Sequence, residues 1–228
     1  MSQPLYLAIE TSTQLGSIAV GHGRAVLSEV VLGLRVKQSE ALLPAIDYAL
    51  AGAQVAKSDL VRVIVGGGPG SFTGLRVAGA TAKALARALE IPMFAYSGLA
   101  ALAASTAQTG VVCAMFDARR DEVYCASYSF PDFNSVEVHM QPAPRHIDDV
   151  LNLVQAADVL FVGDGALRYA SAIQSAGGRM APAHFAVPRA AALLWLADIA
   201  PALGRIEEIA EWEPLYLRES GAERTLKT

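Results

Sequence analysis

Three stretches of this chain carry residue types able to do chemistry. Glu10-Thr11-Ser12 sets an acid and two hydroxyls in the turn between two apolar runs, Leu5 to Glu10 and Ser17 to Val20. Gly66-Gly67-Gly68-Pro69-Gly70-Ser71 leaves a β-branched run, Val61 to Val65, and passes into an alanine-rich stretch. Free N–H groups at such a helix start can meet an anion. Gly68, Gly70 and Ser71 are therefore candidate contacts for a nucleotide or a phosphate. The third stretch is the charged tip Asp117 to Glu122, where Arg119 and Arg120 could grip a phosphate, including one of RNA, or a partner's carboxylates in bidentate fashion. Several chemistries lack their pattern. No Lys-Ser or Lys-Thr follows the glycines and Lys83 is too far along, so this is not a P-loop, and no acid closes a dinucleotide fingerprint. Cys113 and Cys125 have no C-x-x-C spacing, and the four histidines form no i,i+4 pair.

The elements that must position these residues follow from periodicity. Leu5 to Glu10 and Ser17 to Val20 read as a hairpin, with a third strand from Arg24 to Leu34. Lys37 to Gly52 reads as a helix with Ser39 as N-cap, Glu40 at the positive end of the dipole, and Leu42, Leu43, Ile46, Ala49 and Leu50 on one stripe. The spacing predicts a second helix from Leu75 to Leu89, capped by Ser71 or Thr73 and slender because of Gly74, Ala78, Gly79, Ala80 and Ala82. Glycine inside a helix costs about 1 kcal/mol against alanine, so close packing is expected to compensate. Further on, strands are expected at Val111 to Phe116, Val123 to Phe130, Ser135 to Met140 and Val159 to Val162, and helices at Ile147 to Ala156, Leu167 to Ala176 and Arg189 to Ala200. The two cysteines fall on adjacent strands as small core residues. The division of domains is expected at 1–106, 107–218 and a polar tail 219–228.

Composition narrows the class. Hydrophobic content of 53% against 18% charge excludes disorder. A net charge of −4 argues against unaided binding to RNA, which needs clustered cations. Leu5 to Ile9 is too short for a signal peptide, and Ala190 to Leu203 is too short and too interrupted to cross a bilayer, so a soluble cytoplasmic protein is expected.

Several segments together carry a resemblance. AIETSTQLGSIAV, QSEALLPAI, GGGPGSFTGLRVAGATAKALA, FDARRDEVY, VPRAAALLWLA and PLYLR stand here in the order seen in the TsaB (YeaZ) family, from about Leu5 to Arg218. The turn that begins with Glu10 also resembles the first phosphate loop of the actin, hexokinase and Hsp70 architecture, where an aspartate usually stands, and that resemblance implies Glu10, Thr11 and Ser12 as contacts for a nucleotide or a phosphate. The resemblance implies an α/β fold of two RNase-H-like lobes of the actin–Hsp70 (ASKHA) type, with a reduced second lobe. It implies a paralogue of TsaD, the subunit that makes N6-threonylcarbamoyladenosine at position 37 of tRNAs, with the ATPase TsaE in the same assembly. In TsaD the strand after the glycine helix leads into H-H-M-E-G-H, whose histidines bind metal. On the ungapped register, Ala95 and Leu99 stand at those two positions, and neither side chain can coordinate a cation.

The expected role is therefore a non-catalytic partner with no metal or cofactor of its own, ATP or ADP entering only at a shared interface and tRNA only through the complex. The expected partner face consists of Ser39, Glu40, Leu42, Leu43, Ile46, Leu50, Leu75, Ala78, Gly79 and Ala82. It would pair with TsaD, or with itself in a homodimer when alone, and Gly79→Arg would break both pairings while leaving the monomer folded. Two rivals stay open: an ATP- or ADP-binding regulator or kinase of the same architecture, with Glu10 in place of aspartate, and a glycoprotease-like metallopeptidase.

Overall fold

The structure, a computed structural model, describes residues 3–33 and 38–217, with the side chains of Gln38 and Ser39 excepted. Leu34, Lys37, Arg218 and the tail 219–228, all named above, lie outside the described residues.

The first lobe begins with β1 (Leu5–Glu10), β2 (Leu15–His22) and β3 (Ala25–Gly33), an antiparallel meander. Helix α1 (Gln38–Ala53) crosses over to β4 (Leu60–Gly66), which lies parallel to β1, and α2 (Phe72–Ala88) crosses to β5 (Met93–Tyr96), parallel to β4. The sheet order is β3-β2-β1-β4-β5. After α3 (Gly98–Ala104) the pattern repeats: β6 (Val112–Arg119), β7 (Glu122–Ser129) and β8 (Glu137–His146) form a meander. Then come α4 (Ile147–Leu153), β9 (Leu160–Val162), α5 (Asp164–Arg168), α6 (Ala170–Ser175) and β10 (Arg179–Met180). The second sheet runs β8-β7-β6-β9-β10, with β9 parallel to β6 and β10 parallel to β9. Both lobes thus have the same strand order and the same pattern of parallel and antiparallel neighbours. This is the two-lobed actin-like α/β fold.

Three apolar layers hold it together. One face of the first sheet (Leu7, Ile9, Val20, Val63, Val65) packs on α1 and α2. One face of the second (Cys113, Met115, Cys125, Phe161) packs on α4, α5 and α6. The remaining two faces meet across α3 and α7 (Ala190–Ile199) in a shared core that includes Ala8, Ile64, Leu99, Leu102, Ala114, Phe130 and Leu193. Helix α3 is too short and too uniformly apolar for a helical stripe to mark it in the sequence: GLAALAA is buried all round. The expected second lobe, 107–218, supplies the second sheet and then, from Arg189, returns across the first. Arg189 donates to both carboxylate oxygens of Glu29, Ala190 N–H donates to Ser17 Oγ, and α8 (Pro201–Gly204) precedes an antiparallel bridge between Arg205 and Phe94.

Several boundaries move. β8 reaches His146 rather than Met140 in spite of Pro142 and Pro144, because it is an edge strand and tolerates missing donors. The helix expected over Leu167 to Ala176 is two short helices, broken at Tyr169. Cys113 and Cys125 are free and buried, as their core reading requires.

Candidate functional site

The β1–β2 turn and the glycine turn after β4 come together because β1 and β4 are parallel neighbours and both turns leave from their carboxyl ends. Such carboxyl ends are where α/β sheets hold ligands. The chain fills this place itself. Glu10 has no exposed surface, and Thr11 and Ser12 are buried with it. Glu10 Oε1 accepts from Ser12 N–H at 2.6 Å. Thr11 Oγ1 donates to Gly74 O at 2.9 Å, and Ser12 O accepts from Ser71 N–H at 2.7 Å. The glycines exist for this closure. A Cβ on Gly66 would collide with the Glu10 carboxylate, one on Gly70 with the Ser12 backbone, and one on Gly98 would sit 2.9 Å from Ser12 Oγ.

Burial pushes the Glu10 carboxyl above its ordinary range, opposed by the Ser12 side chain and the N–H groups of Ser12 and Thr11. Neither Glu10 Oε2 nor Ser12 Oγ has a hydrogen bond of acceptable geometry, although the hydroxyl stands near enough to oppose the shift. A second closure comes from the end of the described chain. Leu215 N–H donates to Gly67 O at 2.8 Å, and a Cβ on Gly68 would sit 2.7 Å from Leu215 O. Gly68 needs its positive φ of 96° as well. Of the six candidate phosphate contacts, Glu10, Thr11, Ser12 and Gly68 are buried, Gly70 is half-buried and Ser71 is exposed. Ser71 caps α2, accepting from Gly74 N–H at 3.3 Å; Thr73 lies inside the helix and does not cap it.

The partner face expected from the sequence needs correcting. Leu42, Ile46, Leu50, Leu75, Ala78, Gly79 and Ala82 are buried within this one chain. The stripe of α1 faces its own sheet, and α2 is slender partly for the sake of the chain's own end. A Cβ on Gly79 would lie 3.1 Å from the Trp212 ring and 3.6 Å from Pro214. Lys83 Nζ donates to Ala210 O at 2.9 Å, and Phe72 stacks on Tyr216 at 5.0 Å. Residues 210–216 form a strap over α2, leaving a groove of about 290 Å³ edged by Arg76, Ala80, Lys83 and Glu213. Gly79→Arg therefore displaces Trp212 and does not leave the monomer as it was. What α1 offers outward is Leu43, 55% exposed, and Tyr48, 72% exposed, with Glu40 and Asp47 beside them. Ser39 is the second residue of α1 and not its cap; its side chain lies outside the described part.

In the second lobe, Arg119 and Arg120 are exposed at the tip of the β6–β7 hairpin. The tip is shorter than expected, and Arg119, Arg120 and Asp121 all take positive φ (61°, 54° and 61°). Sequence reasoning missed its support, Asp164, whose Oδ1 accepts from Asp117 N–H at 3.0 Å and from Gly165 N–H at 2.8 Å. Burial raises the Asp164 pKa despite those donors. The acid in Gly163-Asp164-Gly165 was the only signal. At the positions where the paralogue resemblance sets metal ligands, Ala95 lies on β5, and Leu99 is fully buried on α3. No group of three or more His, Cys, Asp and Glu side chains among the described residues is arranged to hold a metal ion. No helix among them is long and apolar enough to cross a membrane.

Comparisons with known proteins agree with this architecture. The family model described as TsaD, tRNA N6-adenosine threonylcarbamoyltransferase, matches residues 35–226. The tRNA threonylcarbamoyladenosine biosynthesis protein TsaB of Bacillus subtilis is 34% identical over 160 residues, 69% of each chain. The Escherichia coli protein of the same name is 27% identical over 226 residues, 96% of this chain and 97% of that one. The solved structure of YeaZ from Pseudomonas aeruginosa superposes with a TM-score of 0.80 at 30% identity, covering 94% of this chain and all of that one. On these grounds the chain belongs to the TsaB (YeaZ) family, inside the wider family of the TsaD transferases.

Proposed function

We propose that this chain is the non-catalytic partner subunit in the transfer of a threonylcarbamoyl group to adenosine 37 of tRNA. Membership of the TsaB family supports a part in threonylcarbamoyladenosine biosynthesis. The observation that carries the finer reading is the closed cradle. Where a working member of this architecture would hold phosphate and metal, Glu10, Thr11 and Ser12 are bonded to the glycine turn and Leu215 lies over it. Glu10 has no exposed surface and its Oε1 already accepts from Ser12 N–H, so a cation would reach it only if the cradle opened. In this reading the chain works by holding a metal-bearing TsaD paralogue in its active arrangement, with a TsaE-type ATPase in the same assembly and no cofactor of its own. ATP or ADP, if it enters, does so at the shared interface.

The contact falls on the outward side of α1, at Leu43 and Tyr48, which sit on a helix anchored from behind by Leu42, Ile46 and Leu50. Exposed aromatic and aliphatic side chains on a rigid base are the usual anchors of an interface. Without the paralogue, the same face would pair with itself about a two-fold axis. Co-expression of a TsaD paralogue with this chain tests the reading. Tyr48→Arg with Leu43→Asp is expected to abolish co-purification and lower tRNA modification while leaving the isolated chain's melting curve unchanged. Full co-purification of the double variant would remove the interface from α1. The closed cradle also predicts no saturable heat when ATP and Mg²⁺ are titrated into the isolated chain; one-to-one binding at micromolar concentration would revive the nucleotide-binding rival.

A further inference from the structure

We infer that the β6–β7 tip is an RNA contact, with Arg119 and Arg120 each meeting a phosphate of the tRNA backbone. The inference rests on the role just proposed, since it needs a tRNA brought to the assembly.

Three observations carry it. Both guanidiniums are exposed, and among the described residues neither makes an ion pair, hydrogen bond or ring contact. Most other arginines of the described chain are engaged: Arg24 with Asp198, Arg168 with Asp117, Arg189 with Glu29, Arg205 with Glu207, Arg179 with Asp158 O. Second, the acids around the tip are already committed. Asp117 accepts from Arg119 N–H at 2.8 Å and pairs with Arg168 at 2.9 Å, Asp121 lies 3.6 Å from Arg168, and Asp164 accepts two backbone N–H groups. Glu122, opposite Arg119 in the ladder, lies 3.9 Å from His146 Nε2, so each of these carboxylates has a partner other than Arg119 or Arg120.

Third, three successive residues with side chains hold a left-handed conformation, which each L residue adopts only at a cost. The hairpin sustains it from several sides: by Asp117, by Arg168, and by His146, whose Nδ1 lies 3.2 Å from Asp121 O. Glycine or asparagine would relieve the turn; arginine stands there instead, twice. The result is two neighbouring exposed cations on a turn held by Asp117 and His146, with the charge that phosphates of a backbone would meet. The tip itself, Arg119 to Asp121, is charged throughout and has no apolar side chain. A chain of net charge −4 would not hold RNA by two arginines alone, so the contact adds to binding made elsewhere in the complex.

The test is steady-state modification of unmodified tRNA by the full assembly, with Arg119→Ala/Arg120→Ala, Arg119→Glu/Arg120→Glu and Arg119→Lys/Arg120→Lys chains. The alanine pair is expected to raise KM for tRNA about tenfold with kcat nearly unchanged. It should also lower the slope of log affinity against log salt by about 1–2, and the lysine pair should recover most of the loss. Arg119→Gly/Arg120→Gly checks folding, since it should melt about 2–4 °C higher and still bind tRNA weakly. An unchanged KM in the alanine and glutamate pairs overturns the inference. Loss of co-purification with the paralogue at unchanged KM also overturns it, in favour of a protein contact. If leaving the whole chain out changes nothing, the proposed role fails instead; if omission matters and the arginine variants do not, only this inference fails.

Discussion

The two lobes offer a controlled comparison, because the β1–β2 turn and the β6–β7 turn occupy the same place in sheets of the same order. The first turn carries Glu10, Thr11 and Ser12, and the chain has sealed it with glycines and with the strap that includes Leu215. The second carries Arg119, Arg120 and Asp121, and stays in solvent in a strained conformation. Shared topology therefore fixes where a turn lies and leaves its chemistry to a few residues and to what is packed over it. One turn has become core; its counterpart has stayed surface.

Substitutions at the two turns should behave accordingly. The largest effect is expected from Gly66→Ala, which forces the Glu10 carboxyl out of its place and should cost about 3 kcal/mol, read as a fall in Tm of roughly 6–12 °C. Adding Glu10→Ala makes room for the new methyl, so the double variant should lose less than the sum of the singles by more than about 1 kcal/mol. Trp212→Ala, which uncovers Gly79 and removes the ring beside Lys83, should cost about 2 kcal/mol and leave the second lobe's hydrogen exchange unaltered.

Next is Glu10→Gln, which mimics the protonated acid. A carboxyl whose pKa is raised by folding stabilises the fold fully below its unfolded pKa, and that contribution is lost as pH rises through the folded value. The glutamine chain should therefore be the more stable at pH 7–8, by of the order of 1–3 kcal/mol, and no more stable near pH 4. Denaturant midpoints across that range check the sign. At the second turn, Arg168→Ala removes the half-exposed pairs to Asp117 and Asp121 and should cost no more than about 1 kcal/mol, less in high salt.

Much of the architecture was legible because both sheets are built from alternating or continuous apolar runs bounded by glycine, proline and polar clusters, and most strands lie where those runs predict. Family motifs carried the rest of the fold assignment. What the sequence could not give is which way an apolar stripe faces. Leu42, Ile46 and Leu50 would look the same whether they met a sheet or a partner, and only the distance from Gly79 to Trp212, 133 positions apart in the chain, shows that α2 is covered by the chain's own strap. Long-range closure of this kind has no local signature. The same holds for Glu10, whose E-T-S reads as a ligand site until Gly66 and Gly98 are seen pressed against it. The hairpin arginines were visible as a pair, but their left-handed backbone was not, since nothing in Ala118-Arg119-Arg120-Asp121 asks for positive φ.

The most direct test is to measure threonylcarbamoyladenosine formed on unmodified tRNA by this chain alone, by its transferase paralogue alone, and by the two together with the ATPase. The account predicts no product from this chain alone and a large loss when it is left out of the full mixture. Product from the purified chain by itself, or an undiminished yield without it, would contradict the account.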